Sequence, residues 1–150
     1  MKTISLLIAD DEPSIGEGLL HAIPWEDFGI EILGVAYDGE QAMEWIRTRH
    51  PDIVMTDIRM PKCDGISMIR QARDEKHSTY FIILSAYDDF KYTQKAIEYG
   101  VTSYLLKPIQ TDELIRTVRH IRTLIEKNEQ RLTQVSEMAH KAAVASEAMH

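Results

Sequence analysis

One cysteine, Cys63, stands in 150 residues. No disulfide can form within the chain, and a reducing compartment, the cytoplasm, is the simpler setting. Long apolar runs are missing as well: none approaches the ~20 residues that a helical membrane span requires. The opening MKTISLLIADDEP turns acidic too soon for a secretory signal peptide. There is no excess of positive charge. Seventeen Lys and Arg stand against 24 Asp and Glu, a net −7, the wrong sign for gripping a phosphodiester backbone, so no direct nucleic-acid binding is expected of this chain. The loop DDEPSIGEG lacks the Gly-x-Gly-x-x-Gly turn, and its carboxylates would repel a pyrophosphate, which excludes a dinucleotide-binding loop. His21, His50, His77, His120, His140 and His150 are scattered without metal-ligand spacing.

What is present is ordinary in bulk and uneven in placement. Hydrophobic residues make up 44% and charged residues 27%, as in a soluble globular domain. A chain of this length buries roughly two-thirds of its unfolded surface and needs no covalent staple. Residues 127–150 hold Lys127, Arg131 and Lys141 against Glu129, Glu137 and Glu147, so the whole −7 lies in residues 1–126. An acidic globular part and a neutral tail follow from that division.

Short apolar runs alternate with longer amphipathic stretches. The runs are Ile4–Ala9, Ile30–Ala36, Ile53–Thr56, Tyr80–Ser85 and Thr102–Leu106, nearly continuous in Ile, Val and Leu, as strands covered on both faces are. Between them Ser14–Ala22, Glu40–Arg49, Gly65–Glu75, Phe90–Tyr99 and Thr111 onward carry apolar residues at helical spacing. Examples are Ala42, Trp45 and Ile46, or Ile66 and Ile69, with Arg73 outward. Pro13 suits a first helical turn, Asp38-Gly39 a turn, and Gly100 a helix C-cap. Five strand–helix repeats predict an α/β fold: a parallel sheet with helices on both faces, joined by right-handed crossovers.

In such sheets the ligand site lies beyond the carboxyl ends of the strands. There stand Asp10-Asp11-Glu12, Thr56-Asp57, Ser85-Ala86 and, from Tyr104 on, Lys107-Pro108. Three crowded carboxylates, Asp10, Asp11 and Asp57, repel unless compensated, and a hard divalent cation such as Mg2+ prefers oxygen ligands of this kind. Lys107 is a compact charge suited to an anion at the same place. An aspartate with a metal, a lysine and a hydroxyl is equipment for phosphoryl transfer, with Asp57 as the nucleophile that forms an acyl phosphate.

IADDEP, MTDIRMPKCDG, ILSAY and YLLKPI, in this order and spacing, resemble the signature segments of the receiver domain of bacterial two-component response regulators. The resemblance covers residues 3 to about 126 and rests on four motifs in register. It implies a flavodoxin-like (βα)5 doubly wound fold of strand order 2-1-3-4-5 with an extended C-terminal helix. It also implies that Asp57 is the phosphoacceptor, charged by a phosphohistidine of a sensor histidine kinase. Asp11 is then a direct Mg2+ ligand and Asp10 one through water, with the backbone carbonyl of Arg59 as the third protein ligand. Lys107 pairs with the phosphoryl group, Ser85 hydrogen-bonds it, Tyr104 is the aromatic switch, and the Lys107–Pro108 bond is cis. SAYDDFKYTQKAIEYGVTSYLLKPI and the long link Ile23-Pro24-Trp25 to Phe28-Gly29-Ile30 are similar to receivers that precede an AraC-type helix-turn-helix output domain. Serine stands at 85 where threonine is commoner. Arg59 and Tyr87, flanking the site, are expected to shield the acyl phosphate and slow self-dephosphorylation.

On this reading the protein is a switch rather than an enzyme. Residues 1–126 are the receiver, and 127–150 a helical extension toward an output domain that would carry transcription regulation and DNA binding. Composition leaves open whether the chain is part of a longer regulator or acts alone. Leu114, Val118, Ile121, Ile125, Asn128, Leu132, Val135, Ala139 and Ala142 step by fours and threes, a heptad seam that predicts a coiled coil. A homodimer is expected through this helix or through the face of the fourth helix, fifth strand and fifth helix. The rival readings are a receiver-shaped interaction module that takes no phosphate, and a Mg2+-dependent phosphohydrolase working through an aspartyl phosphate. The latter usually carries Asp-x-Asp after its first strand, whereas Asp10 and Asp11 are adjacent.

Overall fold

A computed structural model describes residues 2–86 and 90–148. The chain divides into two compact units, Met1–Thr117 and Val118–His150. The first holds β1 (Ile4–Ala9), α1 (Pro13–Ala22), a 3-10 turn (Trp25–Phe28), β2 (Ile30–Ala36), α2 (Gly39–Arg49), β3 (Ile53–Asp57), α3 (Gly65–Asp74), β4 (Tyr80–Ser85), α4 (Phe90–Glu98), β5 (Ser103–Leu106) and the start of α5 (Thr111–Ala148). The strands form one parallel sheet in the order β2-β1-β3-β4-β5. Among the described residues no helix is long and apolar enough to cross a membrane.

Local chemistry sets the element ends. Pro13 opens α1, where its missing N–H is no loss. Asp38 and Asp64 cap α2 and α3 by accepting the amides of Gln41 and Ser67, each at 2.8 Å; Asp38-Gly39 therefore starts a helix where the dipeptide alone reads as a turn. Gly100 takes a left-handed φ of 75° just past α4, as the spacing predicts.

Burial follows position in the sheet. The central strands β1, β3 and β4 are buried almost throughout, whereas β2 is mostly half-buried and β5 alternates. Uniformly apolar runs thus mark the three inner strands correctly; the edge strands share the composition but have a neighbour on one side only. Leu7, Val54, Phe81 and Ile83 of the sheet pack with Met43 and Ile46 of α2 and Met68 and Ile69 of α3. Each large apolar side chain of this kind contributes roughly 1.5–3 kcal/mol.

Arg73 departs from expectation. Helical spacing puts it outward, yet its guanidinium donates to the carbonyls of Thr79 (2.9 Å), His77 and Tyr99 (both 3.0 Å) and Gly100 (3.3 Å). It also lies 5.1 Å from the centroid of the Phe81 ring. Its long apolar stem allows burial while the planar head collects carbonyls that the loops before β4 and β5 leave without a sheet partner.

In the second unit the helix continues to Ala148. Val118, Ile121 and Ile125 are buried, whereas Leu132, Val135, Met138 and Val144 are more than half exposed.

Candidate functional site

The carboxyl ends of β1, β3 and β4 meet the loop after β5. Asp10 follows β1, its amide donating to the Ala36 carbonyl at 2.9 Å as though the strand went on. Its side chain is fully buried: Oδ1 accepts the Glu12 amide at 3.0 Å and Oδ2 accepts the Lys107 ammonium at 3.1 Å. Asp10 thus turns the chain toward α1 without capping it, since α1 has no side-chain cap. Asp57, the last residue of β3, is buried too. Its Oδ1 accepts the amide of Ile58 at 2.7 Å, and its Oδ2 accepts Lys107 Nζ at 3.2 Å. Asp11 is exposed beside them, and carboxylate oxygens of Asp10, Asp11 and Asp57 lie within 4.8 Å of one another.

Lys107 reaches the pair because its own amide donates to the Ser85 carbonyl at 2.8 Å, extending the β4–β5 ladder by one step. The bond to Pro108 that follows is cis. Ser85 is buried, and its hydroxyl donates to the Ala86 carbonyl at 3.3 Å. Tyr104 is 39% exposed, on the strand that delivers Lys107.

Electrostatics follow from burial. Loss of water pushes the Asp10 carboxyl above its ordinary value; the Glu12 amide and Lys107 act against this, and Asp57 adds to it. Burial also works against the charge of Lys107, but hydrogen bonding and attraction from Asp10, then Asp57, prevail and raise its pKa. One ammonium therefore serves two buried carboxylates, and Asp11 lies outside its hydrogen bonds. That donor set, all oxygen and only partly neutralised, fits a hard divalent cation.

The loop from Asp57 to α3 has a feature that sequence reasoning missed. Gly65 donates to the Ile58 carbonyl at 2.7 Å, and a β carbon at position 65 would collide with the carbonyl oxygen of Asp57. From the other side the buried Thr56 hydroxyl donates to that same oxygen at 2.9 Å. The backbone carrying Asp57 and leading to Arg59 is therefore held between Thr56 and Gly65. The glycine that ends MTDIRMPKCDG, eight residues past Asp57, was the available signal. Of the sequence-predicted site residues, Asp10, Asp11, Asp57 and Lys107 come together. The Ser85 hydroxyl points to its own strand end, Arg59 is exposed, and Tyr87 lies outside the described residues.

The family model described as response regulator receiver domain matches residues 6–119. The uncharacterized transcriptional regulatory protein YesN of Bacillus subtilis is 34% identical over 136 residues, covering 91% of this chain and 37% of YesN. The transcriptional regulatory protein HptR of Staphylococcus aureus is 40% identical over 127 residues, covering 83% of this chain and 49% of HptR. The chain thus spans less than half the length of these relatives. Among solved structures, the REC domain of AraT, a response regulator from Geobacillus stearothermophilus, superposes with a TM-score of 0.80 at 35% identity, over 85% of this chain and 98% of that one. The receiver domain of Francisella response regulator 1452 does so with a TM-score of 0.71 at 33% identity, over 81% and 99%.

Proposed function

This chain belongs to the response regulator receiver domain family, and from that premise we propose that Asp57 is its phosphoacceptor, charged by a sensor histidine kinase in the cytoplasm. The observation that carries the assignment is the bond pattern of the Asp57 carboxylate. Oδ1 is occupied by the Ile58 amide, while Oδ2 faces Lys107 and the Asp10–Asp11 cluster. In the transfer a P–O bond forms to Asp57 Oδ2 as the P–N bond to the donor imidazole breaks, and the electron pair stays on the imidazole nitrogen.

Mg2+ would be held by Asp10, Asp11, Asp57 and the backbone carbonyl of Arg59, and when bound it supplies neutralisation of the incoming phosphoryl oxygens. The chain's own residues do the rest. Lys107 offers its ammonium to a phosphoryl oxygen in place of Asp57 Oδ2. Ser85, whose hydroxyl rotates from a 3.3 Å bond to Ala86, donates to another. Tyr104, on β5 two residues before Leu106, the register partner of Ser85, moves inward as Ser85 does. Its partial exposure and the exposed Ile97 and Leu106 support a surface on α4 and β5 that changes with phosphorylation. Such a shift is no larger than the phosphoryl group's preference for one state.

A groove of about 600 Å3, lined by Ile15, Leu19, Ile23, Pro108, Ile109 and Leu114 among others, shares Lys107 with the Asp57 site and supports docking of an apolar element of the kinase beside the phosphoacceptor. Residues 1–126 act as the receiver, and residues 127–150 as a helical extension leading toward an AraC-type output domain that would bind DNA. Dimerisation through the α4–β5–α5 face or the extension couples the two.

Intact-mass spectrometry after incubation with Mg2+ and acetyl phosphate tests the chemistry. A single phosphoryl adduct that needs Mg2+ and is lost in Asp57→Asn is expected. A folded, metal-exposed chain that takes no adduct overturns the reading in favour of a phosphate-independent interaction module.

A further inference from the structure

The second unit leaves a seam uncovered. Leu132 is 61% exposed and Val135 58%; Asn128, Ala139 and Ala142 are exposed as well. These residues alternate steps of four and three, the 3.5-residue period that suits a supercoiled partner helix rather than a flat surface. Around them the pattern is binary: Glu126, Lys127, Glu137 and Lys141 fall on the outward positions, and only Glu129 and Arg131 flank the seam with charge.

We infer that this seam pairs with the same seam of a second copy, parallel and in register, with Asn128 facing Asn128. The inference deepens the dimerisation reading above and rests on it. Three observations select this occupant.

First, the exposed Asn128 carboxamide has no side-chain hydrogen bond among the described residues. A carboxamide carries both a donor and an acceptor, so across a two-fold axis one amide can donate while the other accepts. Opposite an aliphatic layer, as in a shifted, antiparallel or foreign pairing, the amide is buried unpaired. That costs about 1–3 kcal/mol, roughly tenfold or more in affinity. A single polar layer is how coiled coils fix register.

Second, the charge permits it. Residues 127–150 hold three basic and three acidic residues, so two copies of the extension itself meet without net repulsion.

Third, parallel in-register pairing sets Arg131 beside Ser136 and Met138 beside Ala143, with no like charges facing across the seam. The same helix standing alone in water gains nothing from its apolar stripe. Beyond Val135 the seam narrows to Ala139 and Ala142, so the strongest layers lie between Asn128 and Val135.

The test uses the full chain in a Cys63→Ser background. Val135→Cys and Ala142→Cys, made separately, occupy equivalent seam positions about 10 Å apart along the helix. Under mild oxidation both are expected to form disulfide-linked dimers, because a parallel two-fold brings each position to its own copy. An antiparallel pair can do so at one position at most, and that result overturns the inference. Light scattering completes it, read with and without acetyl phosphate and Mg2+. The unmodified seam gives a dimer in at least one state, and Leu132→Asp, at an exposed site, gives a monomer. Asn128→Leu associates roughly tenfold more tightly and loses its single register, giving species beyond the dimer. A chain that takes the phosphoryl adduct yet stays monomeric in both states overturns the pairing alone. A chain that cross-links at both positions without any adduct upholds the pairing and overturns the phosphoacceptor reading.

Discussion

Lys107 Nζ stands 3.1 Å from Asp10 Oδ2, and the same ammonium is 3.2 Å from Asp57. The lysine therefore sits where a divalent cation's charge is also wanted, and each buried carboxylate keeps one fixed amide as its second partner. Two carboxylates sharing one ammonium leave the site short of positive charge.

Removing that ammonium makes the deficit measurable. Lys107→Ala is expected to lower the melting temperature in chelator by leaving Asp10 buried and unpaired, at a cost of roughly 3–5 kcal/mol. Added Mg2+ should restore more of it than it adds to the unsubstituted chain, since ligand binding to the native state stabilises by mass action. Differential scanning calorimetry with and without Mg2+ checks this; no Mg2+ response in either chain means the cluster holds no metal.

Asp10 folds at a cost. Its pKa is raised above the ordinary 3.8, chiefly by burial, so the native state binds its proton more readily than the unfolded chain and the ionised form is the destabilising one at neutral pH. Asp10→Asn should raise the melting temperature at pH 7. The gain should shrink as pH falls through the raised pKa, and Mg2+ should stabilise the variant less. A variant less stable than the parent at pH 7 contradicts the burial argument.

Two glycines should respond oppositely to the same change. Gly65→Ala drives a methyl into the Asp57 carbonyl and is expected to cost about 1–3 kcal/mol and to slow adduct formation from acetyl phosphate. Gly18, within α1, has nothing within 4 Å of where a β carbon would stand. Gly18→Ala should stabilise by about 0.5–1 kcal/mol through helix propensity. Urea unfolding beside the phosphorylation rate separates the two.

Glu75 titrates far below its ordinary 4.5, at about 2, chiefly because the Arg47 guanidinium binds it with two bonds of 2.8 and 2.6 Å. A depressed carboxylate contributes its stability above its unfolded pKa and loses it as pH falls through the folded one. The α2–α3 clamp should therefore hold at pH 5 and release between pH 4.5 and about 2. Carboxyl-carbon NMR of Glu75 reads the midpoint directly, and in Arg47→Ala it is expected to rise toward the ordinary value, the His77 contact still acting to lower it. Because the pair is exposed, Glu75→Gln should hardly alter the melting temperature at neutral pH.

The fold was legible because periodicity is local. Ile4–Ala9, Ile30–Ala36 and Tyr80–Ser85 are strands with the ends the sequence suggests, while β3 gains Asp57 and β5 begins at Ser103. Arg73 was misread for the converse reason. Its spacing on α3 is that of an outward residue, and its carbonyl partners at 77, 79, 99 and 100 belong to loops that meet only in three dimensions. The hold of Thr56 and Gly65 on Asp57 had only the glycine of MTDIRMPKCDG as a signal, since a close approach to the backbone leaves no periodic trace.

The sequence by itself determined which residue types stand at which strand ends, because a parallel α/β pattern sends the carboxyl ends of its strands to one side. Asp10, Asp11, Asp57 and Lys107 were bound to share that side. It likewise determined the heptad seam, which is a matter of spacing along one helix. Only the tertiary structure decided how the charges were divided: that Lys107 reaches both buried carboxylates, that Asp11 stays in water, and that Asp57 presents Oδ2 while Ile58 holds Oδ1. Those outcomes depend on distances of about 3 Å between residues 50 and 97 positions apart, set by how closely the strands pack and not by any pattern within one of them.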